Sequence, residues 1–213
     1  LYVPLMLVSS LALAALLNRR FAGVGVYKVL FFLPVLTSWV AGSLIWRWIL
    51  NHKYGLVNIL LGHIGVAGPA WLDAKYWVLP GIVLAGVWKD AGFFALIVLG
   101  ALKGINHEDY EAAQIDGAGR VRQFFASTLP QLKYTIITSS TLMVVGSLTF
   151  FDLIFVLTAG GPGDATRVLA LDMYKRGFMA NLMGPASVIA VILVFVGLGI
   201  ALLLRRLGGT DQT

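Results

Sequence analysis

Cysteine is absent from this 213-residue sequence, and charged residues make up only 12% of it. Without a thiol, the chain cannot form a disulfide, a Cys-ligated zinc site or a thiolate nucleophile. Soluble domains average about a quarter charged residues, so this charge content, beside 59% hydrophobic residues, excludes an ordinary soluble protein. The composition indicates an integral membrane protein.

Phosphate-binding and catalytic motifs are also missing. The sequence has no G-x-x-x-x-G-K-[ST], and its glycine-rich stretch at 160–163 has no lysine to meet a phosphate. All three histidines, His52, His63 and His107, fall in connections between apolar segments. A solvated loop histidine is the ordinary interpretation there, which argues against a catalytic or metal site in the membrane. We therefore expect no metal, no cofactor and no covalent chemistry in this chain.

The net charge is +6, from 16 Lys and Arg against 10 Asp and Glu. In a soluble protein this excess would suggest nucleic-acid binding. In a membrane protein, basic loops on the cytoplasmic face explain it more simply. We therefore do not expect nucleic acid as a partner.

Five apolar stretches reach or approach the roughly 20 residues that a helix needs to cross hydrocarbon. They lie at about 1–17, 29–50, 76–102, 134–159 and 184–204. None alternates with a period of two residues, which favours helices over the strands of a membrane barrel. The sequence therefore predicts an all-α integral membrane fold, a multi-span helical bundle. Because it begins Leu1-Tyr2 without Met or a basic leader, we interpret it as lacking an N-terminal portion.

The distribution of basic residues predicts the topology. With five spans, the first and third connections share a side with the C-terminal tail, and together these carry nine Lys and Arg residues. The opposite side, with the span ends that face it, carries six. Because cytoplasmic loops are enriched in Lys and Arg, this difference favours a cytoplasmic position for the 103–133 loop.

The 103–133 loop contains a predicted short helix. Asn106 is a suitable N-cap, Glu108 and Glu111 lie in the first turn, and Gly117 is expected to end the helix with a positive φ. About ten residues make a helix of ~15 Å, which is too short to span a bilayer. Its small side chains suit insertion into a groove on another protein, although an ordinary solvated loop helix remains an alternative.

Several residues of this loop carry a resemblance to a known family. The run Glu111-Ala112-Ala113, followed by Gly117 and Leu129-Pro130, resembles the EAA loop of binding-protein-dependent ABC importer permeases. The triplet at 116–118, Asp-Gly-Ala, and the string FDLIFVLTAGGP at 151–162 are similar to the carbohydrate-uptake class, of the maltose and glycerol-phosphate type. Ser127 stands where the family usually has Ile.

The resemblance implies a fold and a function. It implies a single permease domain over 1–213 of the type I ABC importer kind, in the bacterial cytoplasmic membrane, with the first of six core spans absent. The loop at 103–133 would be a cytoplasmic coupling loop docking on an ATPase pair that binds ATP and Mg, so this chain would not be an enzyme. A second homologous permease, an external sugar-binding protein and membrane lipid would be its other partners. The residues implied to couple to the ATPase are Glu111, Ala112, Ala113, Asp116, Gly117, Leu129 and Pro130.

Ionisable residues inside apolar stretches usually mark a cavity or a pathway, because charge in hydrocarbon is unfavourable. Lys89 and Asp90 lie in the third stretch and Asp152 in the fourth. Adjacent helical residues diverge by about 100°, so Lys89 and Asp90 are expected to have separate partners. Contacts between helices or to a second permease subunit are the structural alternative. The predicted translocation path contains Trp88, Lys89, Asp90, Phe94, Phe151 and Asp152, whose aromatic rings could stack on a sugar.

Two further function classes remain open at this stage. In an ion-coupled secondary transporter, Asp90 and Asp152 would carry protons or Na⁺. A membrane-embedded enzyme is disfavoured because the apolar stretches contain neither His nor Cys. A requirement for ATP and a partner ATPase distinguishes an ABC permease from a secondary transporter.

Overall fold

The computed structural model describes residues 1–19, 21–106, 108, 111 and 117–208. Every regular element in this described part is helical, which confirms the predicted all-α fold. The first five helices are α1 Tyr2–Leu17, α2 Val24–Leu36, α3 Trp39–Ile49, α4 Leu56–His63 and α5 Val78–Gly104. The remaining helices are α6 Arg120–Gln123, α7 Leu129–Gln131, α8 Lys133–Leu148, α9 Asp152–Leu157, α10 Leu169–Tyr174 and α11 Met183–Gly208. Two π-helical turns, Phe124–Thr128 and Lys175–Met179, follow α6 and α10.

Two described helices, α5 and α11, are long and apolar enough to cross a membrane. Helix α1 is apolar but shorter, at 16 residues. The pair α2 and α3 would make a third candidate if it forms one bent span. The predicted stretch at 134–159 is divided between α8 and α9. The set of five spans therefore stays a prediction.

The predicted stretch at 29–50 is interrupted between α2 and α3, whose axes differ by 101°. Thr37 and Ser38 have extended backbones, with ψ of 150° and 142°. Both the N–H and the hydroxyl of Thr37 donate to the Pro34 carbonyl, at 3.1 and 2.7 Å. Pro34 has no N–H, so the last turn of α2 lacks one hydrogen bond within the helix. The two bonds from Thr37 close that turn instead. Apolar composition alone predicted a single stretch here and did not reveal the break.

Helix α5 is the centre of the packing and contributes residues to three apolar clusters. The first cluster joins α5 to α3, α9 and α10. The second cluster joins α5 to α1 and the start of α8. The third cluster joins α5 to α1 and the body of α8. Helix α2 crosses α5 so closely that a Cβ at Gly92 would collide with the Phe31 carbonyl. Glycine is therefore required at position 92 for backbone contact.

Candidate functional site

An open cavity of about 420 Å³ lies beside α5, bordered by α1, α3, α8 and the link between α8 and α9. Six of its lining residues are aromatic, two are carboxylates and one is a hydroxyl residue. The full lining is Tyr2, Trp39, Asp90, Phe93, Phe94, Leu142, Met143, Gly146, Thr149, Phe150, Phe151, Asp152 and Leu153.

Four of the six residues predicted to form the path line this cavity: Asp90, Phe94, Phe151 and Asp152. The other two lie elsewhere on α5. Trp88 packs edge to face against Trp46, with ring centroids 5.8 Å apart. Lys89 is only 4% exposed and points away from the cavity lining.

Lys89 and Asp90 have separate partners, as their adjacent helical positions predicted. The Lys89 ammonium donates to the Val35 carbonyl at 3.0 Å and lies 5.0 Å from the centre of the Trp39 ring. The Asp90 carboxylate accepts a hydrogen bond from the Tyr2 hydroxyl at 3.1 Å. Lys89 therefore connects α5 to α2 and α3, whereas Asp90 connects α5 to α1.

Lys89 compensates for the break between α2 and α3. In a continuous helix, the Val35 carbonyl would accept from the N–H four residues later. Because α2 ends at Leu36, that carbonyl is one of the orphan acceptors of a helix C-terminus. A cation is favoured there by the helix dipole, and the Trp39 ring face adds a cation–π contact. Lys89 thus connects α5 to both sides of the break.

Five residues form a closed circuit of contacts, which we call the cavity rim: Lys89, Trp39, Phe150, Tyr2 and Asp90. Lys89 contacts Trp39, whose ring is 5.4 Å from that of Phe150. The Phe150 ring is 5.0 Å from that of Tyr2, which bonds Asp90. Since Lys89 and Asp90 are neighbours on α5, the circuit closes through one peptide bond.

Lys89 does not pair with Asp152. Ion pairs found among the described residues involve Arg167 and Arg176 only. In the same part of the chain, the Asp152 carboxylate has no hydrogen-bond or ion-pair partner. The first residue of α9 therefore presents at the cavity a carboxylate without a polar partner in the described ranges.

Aromatic rings continue from the cavity into the 160–183 connection. Phe151 stacks on Phe155 at 5.2 Å, and both contact Tyr174, at 4.8 and 5.4 Å. Tyr174 stacks on Phe178 at 5.5 Å, and Phe178 is 68% exposed. The series thus links the cavity to the surface of that connection.

The same connection contains a charged cluster around Asp172. The Asp172 carboxylate accepts from the Nε of Arg167 at 3.0 Å and of Arg176 at 2.8 Å. Hydrogen bonding to Arg167, more than that to Arg176, holds the pKa of Asp172 below its ordinary value. The cluster ties the loop before α10 to the π-helical turn after it.

The predicted coupling loop is described only in part. The Asn106 side chain accepts from the Glu108 N–H at 3.3 Å, as expected of an N-cap. Gly117 has φ of +73°, which confirms the predicted left-handed turn. Glu111 has helical backbone, whereas Ala112, Ala113 and Asp116 lie outside the described residues.

Leu129 and Pro130 begin α7, directly after the π-helical turn Phe124–Thr128. The Leu129 N–H bonds to the Phe124 carbonyl, five residues back. Because Pro130 has no N–H and its ring crowds the carbonyl four residues before it, the wider turn accommodates the proline without ending the helical path. The motif therefore lies in a helical segment that links α6 to α8.

Sequence reasoning missed Tyr2 and Trp39 as cavity residues. Both lie at the start of a helix whose role depends on long-range packing against α5. For Trp39 a signal was available, since Pro34 followed by Thr37 and Ser38 marks a break in an apolar run. For Tyr2 no local signal exists.

Comparison with known proteins identifies similar chains over nearly the whole length. The family model described as a binding-protein-dependent transport system inner membrane component matches residues 3–208. A probable ABC transporter permease of Bacillus subtilis is 34% identical over 87% of this chain and 64% of its own. The sulfoquinovosyl glycerol transport permease of Agrobacterium fabrum is 34% identical over 90% of this chain and 62% of its own. The chain thus spans just under two thirds of these two relatives.

Two further comparisons involve carbohydrate transporters. The trehalose/maltose transport permease of Thermococcus litoralis is 34% identical over 97% of this chain and 70% of its own. A crystal structure of a bacterial alginate ABC transporter, in complex with a periplasmic protein bound to alginate pentasaccharide, contains a similar chain. The TM-score is 0.84 at 26% identity, over 96% of this chain and 73% of the other.

Proposed function

Because the chain belongs to the family of binding-protein-dependent transport system inner membrane components, we propose that it is a permease subunit of an ABC importer for a sugar or related polyol. The aromatic cavity beside α5 is the observation that carries this proposal. Relatives named for sulfoquinovosyl glycerol and trehalose/maltose transport, and the similar alginate transporter, support a carbohydrate as the substrate.

The cavity suits a sugar chemically. Sugar rings have apolar C–H faces, which pack well on aromatic rings such as Trp39, Phe94 and Phe151. Their hydroxyls donate to carboxylates, and a hydrogen bond to a charged acceptor is stronger than one between neutral groups. Asp90 and Asp152 provide such acceptors. These residues would line the half of a translocation path that this subunit contributes.

Energy would come from a cytoplasmic pair of ATPase subunits that bind ATP and Mg, and this chain would perform no covalent chemistry. Its sequence offers no P-loop for ATP. The 103–133 loop would dock on the ATPase as a coupling helix, using Glu111, Ala112, Ala113, Asp116, Gly117, Leu129 and Pro130. The Asn106 cap and the positive φ of Gly117 support a short helix between them.

The remaining partners are a second homologous permease subunit, an external sugar-binding protein and the lipid of a bacterial cytoplasmic membrane. Helix α11 supports multi-pass insertion, because Val194 and Phe195 are 66% and 70% exposed on an apolar helix. Such faces are stable against lipid or another apolar helix. The exposed Phe178 end of the aromatic series suits the delivery of sugar from outside.

The two cavity carboxylates also favour a second candidate, an ion-coupled carrier in which Asp90 and Asp152 bind protons or Na⁺. Uptake into vesicles containing the whole reconstituted importer separates the two candidates. An ABC permease should accumulate sugar only with ATP and should continue in the presence of a protonophore. Uptake that follows the proton gradient without ATP, and is abolished in Asp90→Asn, would overturn the ABC proposal.

A further inference from the structure

The charge of the cavity restricts the class of sugar. We propose that the substrate of this permease carries no acidic group, and that Asp90 and Asp152 are the residues that discriminate against uronic and sulfonic sugars. The inference rests on the proposed function and adds a specificity that the family does not supply. The similar transporter in the crystal structure imports alginate, an acidic polysaccharide.

The described lining contains two carboxylates and no Lys, Arg or His. The Asp90 carboxylate accepts one hydrogen bond from the neutral Tyr2 hydroxyl, and the adjacent Lys89 ammonium offsets only part of its charge through space. Asp152, at the exposed start of α9, has no polar partner within the described residues. Both carboxylates therefore present acceptor oxygens to whatever enters the cavity, and no cation of the described lining pairs with them.

The cation nearest in sequence, Lys89, forms no direct ion pair with either carboxylate, because its ammonium is held elsewhere. Lys89 is 4% exposed, and its ammonium is bonded to the Val35 carbonyl at the α2–α3 break. Moving it into the cavity would leave that carbonyl without a donor and would remove the contact with Trp39. The fold thus directs its one buried lysine away from the cavity lining.

Charge repulsion then decides between sugars of similar shape. Two like charges a few ångströms apart repel more strongly in a membrane cavity than in water, because the surroundings screen them less. A sugar with a carboxylate or sulfonate would experience this repulsion from both aspartates. The uncharged sugar of the same shape would instead donate its hydroxyls to them, while the aromatic rings would hold either one equally.

Matched pairs of disaccharides test the inference. Vesicles containing the complete importer, with its ATPase, second permease and binding protein, are given gluco-, galacto- and manno-configured disaccharides, each as the neutral sugar and as its uronic acid. Uptake is measured by mass spectrometry of the vesicle contents. We expect wild type to accumulate a neutral member at least about tenfold faster than its acidic partner, and Asp90→Asn with Asp152→Asn to reduce that ratio about tenfold.

The control is Asp73→Asn, which removes an exposed acid outside the cavity lining and should leave the ratio unchanged. Accumulation of an acidic sugar at or above the rate of its neutral partner would overturn the charge inference while leaving the sugar-importer proposal intact. An unchanged ratio in the double variant would show that these aspartates are not the discriminating residues. If ATP drove no uptake of any sugar, the proposed function would be wrong, and the inference with it.

Discussion

The Lys89 ammonium lies 3.0 Å from the Val35 carbonyl oxygen and connects the middle of α5 to the end of the broken helix α2. A charged residue predicted to border a translocation path thus lies beside the cavity and contacts a residue of its lining, Trp39. Interior cations in membrane proteins can therefore stabilise irregular backbone as well as contact substrates.

Replacing Lys89 with Met keeps most of its apolar volume and removes the donor. We expect Lys89→Met to destabilise the complex by about 1–3 kcal/mol, because the half-buried Val35 carbonyl loses its donor. Lys89→Arg should restore part of that stability, whereas Lys53→Met, at an exposed loop position, should have little effect. Thermal unfolding of the purified complex measures all three. Equal stability of Lys89→Met and wild type would contradict the role of this contact.

Gly92 and Gly100 form a matched pair on α5. A Cβ at Gly92 would meet the Phe31 carbonyl, whereas a Cβ at Gly100 would meet nothing within 4 Å. Gly92→Ala should therefore push α2 from α5 and cost about 1–3 kcal/mol of stability. Gly100→Ala should be neutral or stabilising by up to about 1 kcal/mol, since glycine is a poor helix former. The two variants are compared by thermal unfolding and sugar uptake, and similar losses in both would argue against close α2–α5 packing.

Gly117 is expected to serve coupling to the ATPase. Its φ of +73° is unfavourable for any residue with a Cβ, by about 1–2 kcal/mol, and its surroundings are open. Gly117→Ala should therefore leave membrane insertion intact but reduce sugar uptake per ATP hydrolysed. Gly119→Ala, two residues away without a positive φ, is the control. Full uptake with normal stoichiometry in Gly117→Ala would contradict the coupling role.

Asp172 predicts a dependence of stability on pH. Hydrogen bonds from Arg167 and Arg176 hold its pKa below the ordinary value of 3.8, so its contribution is present above pH 3.8 and is lost as the pH falls through the lower folded-state value. Asp172→Asn should be less stable than wild type at neutral pH, and the difference should shrink in acid below pH 3.8. Unfolding by denaturant at a series of pH values tests this. A difference that grew on acidification would have the wrong sign.

Single cysteines test the predicted topology, since the chain has no native thiol. Asp164 is exposed in the 160–183 connection, and Arg122 is exposed beyond the predicted coupling helix. Asp164→Cys should react with an impermeant maleimide added outside intact spheroplasts, whereas Arg122→Cys should react only after the membrane is opened. The reverse pattern would invert the topology.

Residue composition and local motifs predicted the helical fold, the Asn106 cap and the turn at Gly117, because each depends on nearby residues. The divergence of Lys89 and Asp90 was also predictable, since it follows from helix geometry alone. The interruption after Leu36 and the contributions of Tyr2 and Phe93 to the cavity were not predicted. The positions of Tyr2 and Phe93 depend on how distant helices pack against α5. The interruption has a local signal in Pro34, Thr37 and Ser38, which apolar composition alone does not reveal.

The contacts of the cavity rim form a closed circuit, so each of its residues is connected to α5 by two routes. An open series of contacts would have only one route. If any single contact is lost, such as that between Trp39 and Phe150, every residue of the rim remains connected to α5 through its other neighbour in the circuit. Loss of two contacts detaches whatever lies between them. A single substitution in the rim should thus leave the other members connected to α5. Pairs such as Tyr2→Ala with Trp39→Ala should be more harmful than their separate effects added together, because Phe150 then has no anchor in the rim.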